Sequence, residues 1–193
     1  MQHKNSPRDR IVASAKQLFS ERGFHRTAVA DLAEDAQVSV GTIYRSFANK
    51  SDIIRAIVDA DTQETLAQLQ ADIDQVRAGT ITGGAALERM IVEWASKSDD
   101  ALNHEIIAEG HRNPEVAETI ATVCGQFREQ FRTLARLIRP DLDEVNTEGA
   151  SEILLTCLFS MGNRDFTHPR LTVEQTAAVV TRLLVEGMRN AQT

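Results

Sequence analysis

The stretch TAVADLAEDAQVSVGTIYRSF, residues 27–47, decides how the chain is read. It holds two short apolar patterns separated by a tight turn. In the first, Val29, Leu32, Ala33 and Ala36 recur at helical spacing behind Thr27, a residue type that caps helix starts. The turn falls at residues 36–38. Ser39 then caps a second helix with Ile43 and Phe47 on its inner face. Two short helices joined this way, behind a longer supporting helix, predict a helix-turn-helix, whose second helix enters the major groove of DNA.

The outer face of that second helix carries Val40, Gly41, Thr42, Tyr44, Arg45 and Ser46, and Tyr44 is the only tyrosine in the chain. Gly41 costs a helix about 1 kcal/mol relative to Ala. Its missing side chain lets the start of the helix press against bases or backbone. The Tyr44 hydroxyl suits a phosphate, and its ring packs beside Phe47. Arg45 matches a guanine edge, and Thr42 and Ser46 match bases or phosphates. Lys50, with the backbone N–H groups after Asn49, predicts a second phosphate cradle.

Upstream, SPRD at residues 6–9 reads as a helix start, with Ser6 as cap, Pro7 at the first helical position and Asp9 completing a capping box. Ile11, Val12, Ala15, Leu18 and Phe19 form its inner face, and Gly23 ends it. Downstream, Asn49 and Asp52 bracket a further helix through Ile53, Ile54, Ile57 and Val58, running to about Arg77. Charge follows the same division. Residues 1–50 carry eight Lys/Arg against five Asp/Glu, a net of +3, within a chain whose total is −7. The remainder is therefore −10, which describes a head that meets an anion and a body that does not.

With 193 residues and 42% hydrophobic content the chain has material for a real core. No stretch approaches the roughly 18 apolar residues of a membrane span, and no basic start is followed by an apolar run. Cys124 and Cys157 are widely separated without C-x-x-C spacing, so a cytoplasmic, reducing setting is expected. Both lie on apolar faces, where packing is a better reading than a redox pair. No G-x-S-x-G, Walker, Rossmann or H-E-x-x-H pattern is present, so no enzyme is expected, and no cofactor.

The segment AKQLFSERGFHRTAVADLAEDAQVSVGTIYRSFANKSDII resembles, along its length, the DNA-binding domain of TetR (tetracycline-repressor-type) regulators. The matching positions are Ala15, Phe19, Gly23, Phe24, Thr27, Leu32, Ala33, Val38, Ser39, Gly41, Thr42, Ile43, Tyr44, Phe47, Lys50 and Ile53. The resemblance implies that Thr27, Tyr44 and Lys50 hold phosphates and that Val40, Gly41, Thr42 and Arg45 face bases. Two positions depart from the pattern. Gln37 stands where the family's turn usually has glycine, which asks a non-glycine residue for a positive φ. Ala30 stands where many members carry a polar or basic residue.

Beyond about residue 75 the resemblance is one of outline. The Gly-rich AGTITGGAA, residues 78–86, is expected to end the long connecting helix. Leu87, Met90, Ile91 and Trp94 then fall at helical spacing. EIIAEGHRNPEVA looks like a pattern of TetR effector domains of the multidrug-efflux-regulator type, broken at Asn113-Pro114. A long helix follows to about Pro140. Two more cover about Asn146–Gly162 and Val173–Asn190, the last capped by Thr172 or a neighbour. In the family these two make a four-helix bundle with a second subunit. Their apolar faces fit that arrangement, with Leu154, Leu158, Val180, Leu183 and Leu184 as candidate dimer contacts, and Ala177, Ala178 and Gly187 allow close approach.

Candidate effector-lining residues are Met90, Trp94, Ile107, Phe127, Phe131, Phe159 and Met161. His104 and His111, seven apart, share a helix face if the helix is unbroken. That spacing is poor for a metal pair, so no metal is expected, and they read better as polar ligand contacts or as ion-pair partners with the nearby Glu105, Glu109, Arg112 and Arg128. The expectation is an all-α regulator. Residues 1–50 form a three-helix DNA-binding domain, and residues 51–193 form an effector-binding and dimerisation domain. It would act as a homodimer on a palindromic double-stranded operator, released by a small apolar or amphipathic effector. The alternative is an all-helical dimeric ligand-binding or interaction protein that does not bind DNA.

Overall fold

The computed structural model describes residues 6–97, 100–161 and 164–190. The regular elements among them are α1 (Pro7–Arg22), α2 (Val29–Asp35), α3 (Val40–Ser46), α4 (Lys50–Arg77), α5 (Gly83–Lys97), α6 (Asp100–Gly110), α7 (Pro114–Ile138), α8 (Glu144–Met161) and α9 (Val173–Asn190). One 3-10 turn lies at Arg164–Thr167. The chain is all-α. It divides into two compact units, one from the described parts of residues 1–62 and 99–122, the other from those of 63–98 and 123–193.

In the first unit the helix ends are set by local chemistry. Ser6 Oγ accepts the Asp9 amide at 3.2 Å and donates to the Asp9 carboxylate at 2.6 Å. Gly23 closes α1 at φ 83°. The start of α2 corrects the sequence reading. Ala28, not Thr27, is the N-cap, and the Asp31 carboxylate accepts its amide at 2.9 Å. Thr27 is buried and donates to the carbonyl oxygens of Gly23 (2.9 Å) and Leu18 (3.2 Å), so it ties the connection back onto α1. Gln37 takes φ 53°, the left-handed conformation expected there. Arg10 of α1 donates to the Gln37 carbonyl at 3.4 Å. Ile11, Phe19, Leu32, Ile43, Ile53 and Ile57 form the core, together with Leu102, Ile106 and Val116 from much later in the chain.

The second unit packs α5, α8 and α9 with the later turns of α4 and α7. Leu69, Ile73, Leu87, Phe131 and Leu134 are nearly or fully buried. The Gly-rich stretch is not all linker. Gly79 makes the turn at φ 70°, but α5 already begins at Gly83, where a Cβ would overlap the Ile138 side chain. The helix expected from Asn146 starts at Glu144, because Asp143 caps it by accepting the Asn146 amide at 2.8 Å. Gly162, its expected end, lies outside the described residues. Thr172 and Gln175 form a reciprocal cap on α9: Thr172 Oγ1 accepts the Gln175 amide at 3.2 Å, and Gln175 Oε1 accepts the Thr172 amide at 3.0 Å. Arg128 and Arg132 of α7 both pair with Glu148 of α8, and Arg132 and Arg136 with Glu144.

Candidate nucleic-acid interface

Helix α3 is held from below by two residues and open above. Ile43 is 2% and Phe47 4% exposed, both in the first unit's core. On the outer face Tyr44 is 57% exposed and Val40 41%. Gly41 is exposed, and a Cβ there would meet only the Ser39 hydroxyl, at 3.8 Å, so nothing inside the protein requires the glycine.

The polar side chains of α3 are linked before any ligand arrives. Ser39 Oγ accepts the Thr42 amide at 3.1 Å, which caps the helix, and lies 2.9 Å from Thr42 Oγ1. Arg45 Nη2 donates to Thr42 Oγ1 at 3.0 Å. The guanidinium is therefore restrained on an exposed surface, with donors left over for a planar acceptor edge. Ser46 donates to the Thr42 carbonyl at 3.1 Å and so is partly committed to its own helix. Arg8 of α1 lies 5.1 Å above the Phe47 ring and braces α3 from behind, a contact the sequence did not signal.

Lys50 and Thr27 are placed differently from what the family resemblance implies. Lys50 donates its ammonium inward, to the carbonyl oxygens of Phe24 and of Thr27, the latter at 2.9 Å. It sits 4.3 Å from the centre of the Phe24 ring. Burial lowers its pKa, and the nearby Glu109 carboxylate opposes that shift. Two of the three ammonium donors thus serve the α1–α2 connection. The Thr27 hydroxyl likewise points inside. The expected cradle after Asn49 is also partly filled. Asp52 accepts the amides of Ala48 (2.8 Å) and Asn49 (3.2 Å), while the Asp52 amide donates to Asn49 Oδ1 at 2.9 Å. Burial works against the Asp52 charge, and hydrogen bonds from Arg55 and these amides outweigh it, so its pKa is lowered.

The candidate effector residues do not come together as one lining. Trp94, Phe127 and Phe131 form a packed aromatic cluster in the second unit, with ring centres 5.5 to 6.1 Å apart, and Met90 is buried in the same core. His104 and Ile107 belong to α6 in the first unit. That helix ends at Gly110, so His111 lies beyond it and shares no face with His104. Phe159 is 43% exposed on α8 and Met161 is half-buried at its end. A shallow, solvent-open depression runs along α5, lined by Ala85, Glu88, Arg89, Val92 and Glu93, none of them among the expected residues. Among the described residues no three His, Cys, Asp or Glu side chains form a metal-binding group.

The candidate dimer residues divide as well. Leu154 is 2% exposed and belongs to the chain's own core, and Leu158 and Leu184 pack against that core. Val180 is half-buried, and Leu183 is 61% exposed. On α8, Ile153, which falls on the apolar face of the expected helix but not among the candidate dimer contacts, is 50% exposed, and Val145 is 82% exposed.

A solvent-facing helix of linked polar side chains, supported by a helix-turn-helix, defines a DNA-binding transcriptional regulator. The model of the bacterial regulatory proteins of the tetR family matches residues 11–57. The Escherichia coli transcriptional regulator UidR is 28% identical over 99% of this chain and 97% of its own length. Among solved structures, Salmonella enterica GusR superposes with a TM-score of 0.71 at 22% identity, covering 95% of this chain and 100% of that one. Bacillus subtilis FadR in complex with stearoyl-CoA superposes with a TM-score of 0.75 at 19% identity, over 92% and 97%. Residues 11–57 thus match the DNA-binding domain of the tetR family, and the relative that matches nearly the whole chain is a transcriptional regulator.

Proposed function

We propose that the protein is a ligand-released repressor, not an enzyme, that binds a palindromic operator in the cytoplasm as a homodimer. The DNA-reading head would correspond to residues 1–50 and the effector and dimerisation region to 51–193. The observation that carries the DNA-binding part is the outer face of α3. There Tyr44 and Arg45 are exposed while Thr42 and Ser39 hold the arginine ready. Arg45 reads a base edge and Tyr44 donates to a phosphate. Gly41 lets the helix start approach the groove.

Two copies are supported by the apolar exposure of α8 and α9, where Ile153, Phe159 and Leu183 face water in a single chain. Gly149 and Gly187 lie on the same helices with nothing near a hypothetical Cβ, which leaves room for a facing helix. A twofold pair of heads reads a twofold-related sequence. The effector is a small apolar or amphipathic molecule. The shallow, solvent-open depression along α5 offers Ala85 and Val92 beside Glu88, Arg89 and Glu93, and FadR, of similar fold, was solved with stearoyl-CoA. The effector acts by preferring the conformation that does not bind DNA, through a shift of α4.

The test is to select operator DNA from a random pool with the full-length protein, then titrate fatty acyl compounds and amphipathic cations while following Trp94 emission and operator binding. Trp94 lies on the same helix as the depression. Both signals should saturate together, with operator affinity falling roughly 5- to 150-fold. A protein that changes emission with ligand but selects no sequence would instead be the dimeric ligand-binding protein without DNA binding.

A further inference from the structure

The α1–α2 connection, residues 23–28, leads directly into the helix-turn-helix, yet much of what holds it comes from α6. Glu105 Oε2 accepts the Phe24 amide at 2.7 Å. One turn further along α6, Glu109 is 7% exposed, and its Oε2 lies 3.3 Å from His25 Nε2. Asn113 donates to Ser51 Oγ at 2.9 Å and lies 3.4 Å from Glu109 Oε1. Lys50 completes the arrangement from α4 through the Phe24 and Thr27 carbonyls. The six-residue connection is thus held at the Phe24 amide and at the Phe24 and Thr27 carbonyls, with the Glu109 carboxylate beside its histidine, and the two carboxylates are spaced four residues apart on one helix.

We propose that Glu105 and Glu109 of α6 are positioning residues for DNA reading: they hold the α1–α2 connection, and through it the orientation of α2 and α3, without touching DNA themselves. This rests on the DNA-binding reading of α3. A carboxylate accepting a backbone amide is a charge-assisted bond, stronger than a neutral one, and its removal leaves the Phe24 N–H without an acceptor. A connection that wanders lets α3 enter the groove in several poses. The loss therefore falls on discrimination between sequences, since phosphate attraction by itself carries no sequence information.

The experiment compares Glu105→Ala, Glu105→Gln and Glu109→Gln in the full chain. Each is titrated with a duplex enriched from a random pool by the wild-type protein and with the unselected pool. Hydrogen exchange at the Phe24 amide is measured in parallel. Glu105→Ala should lower the ratio of selected to unselected affinity about tenfold, speed exchange at Phe24, and leave the salt dependence on unselected DNA unchanged, because no phosphate contact is removed. Glu105→Gln keeps an acceptor oxygen and should restore both the ratio and the protection. Glu109→Gln should lower the ratio by a smaller factor. An unchanged ratio in Glu105→Ala, or a lost ratio with Phe24 still protected, overturns the proposal, as does failure of Glu105→Gln to restore the ratio. A wild-type protein that enriches no sequence from the pool would instead remove the DNA-binding reading itself.

Discussion

Helices α3 and α8 both present side chains to solvent, and the side chains are of opposite kinds. On α3 they are Thr42, Tyr44 and Arg45, two of them already joined by a hydrogen bond. On α8 they are Val145, Ile153 and Phe159, exposed by 43% to 82%. A polar face restrained in advance suits a charged, hydrogen-bonding surface such as a DNA groove. Apolar side chains in water are costly and suit a surface that removes them from it. Under the proposed function, the difference separates the surface that would read DNA from the surface that would bring two readers together.

The sharpest way to break this comparison is to put a charge on the apolar side. Leu183→Glu should leave the monomer folded, since the residue is 61% exposed. It should abolish dimerisation in sedimentation and lower operator affinity by about 10²- to 10⁴-fold through loss of the second head. A wild-type chain that stays monomeric at micromolar concentration while binding a palindrome tightly would overturn the arrangement. Phe131→Ala tests the interior beside it. Phe131 is fully buried against Trp94 and Phe127, so the change should cost about 3–5 kcal/mol of stability. A denaturant melt would measure it, and a ligand-specific defect at unchanged stability would contradict the packed-core assignment.

On the polar side, Arg45→Ala should cost about 1–3 kcal/mol at one base position and relax preference there. Competition among single-base operator variants measures this, and an equal loss on all sequences would remove the base-reading role. Lys50→Met should reduce stability and operator affinity with the salt slope unchanged, because its ammonium serves the Phe24 and Thr27 carbonyls. A slope flatter by about one phosphate's worth, about 0.9, would return Lys50 to the DNA surface. The smallest effect is expected at Gln37→Gly. It relieves a left-handed residue and offsets that with glycine's own entropy, for a net gain of roughly 0.5–1 kcal/mol in a thermal melt.

Much of the head is legible in the sequence because its signals are local. Ser6, Ser39 and Asn49 cap helix starts by accepting the amide three residues ahead, and the inner positions Ile43 and Phe47 follow from spacing alone. Gln37's positive φ was readable from the turn it must make. Thr27 and Lys50 were not, because their partners, the carbonyl oxygens of Leu18, Gly23 and Phe24, are backbone groups with no mark in the sequence. The second unit was less legible for a different reason. Periodicity identifies an apolar face without saying whether it meets the same chain or another. Leu154 of α8 and Leu183 of α9 each fall in the apolar pattern of their helix, yet the first is core and the second is surface. Trp94, Phe127 and Phe131 look equally suited to lining a cavity or to filling it, and side-chain geometry places them in contact with one another.

The first unit draws Leu102, Ile106 and Val116 into the same core as Ile11 and Phe19. That has a consequence during synthesis. Chains emerge from the ribosome N-terminus first, at about 5–20 residues per second. Helices α1 to α3 and the part of α4 that belongs to this unit have emerged once residue 62 is out, but the apolar surface that α6 and the start of α7 cover stays uncovered until some sixty further residues have emerged, an interval of roughly 3–12 seconds. The nascent head is therefore at its stickiest in that window, and a pause in translation between residues 62 and 122 should lower the yield of folded protein more than a pause after residue 122.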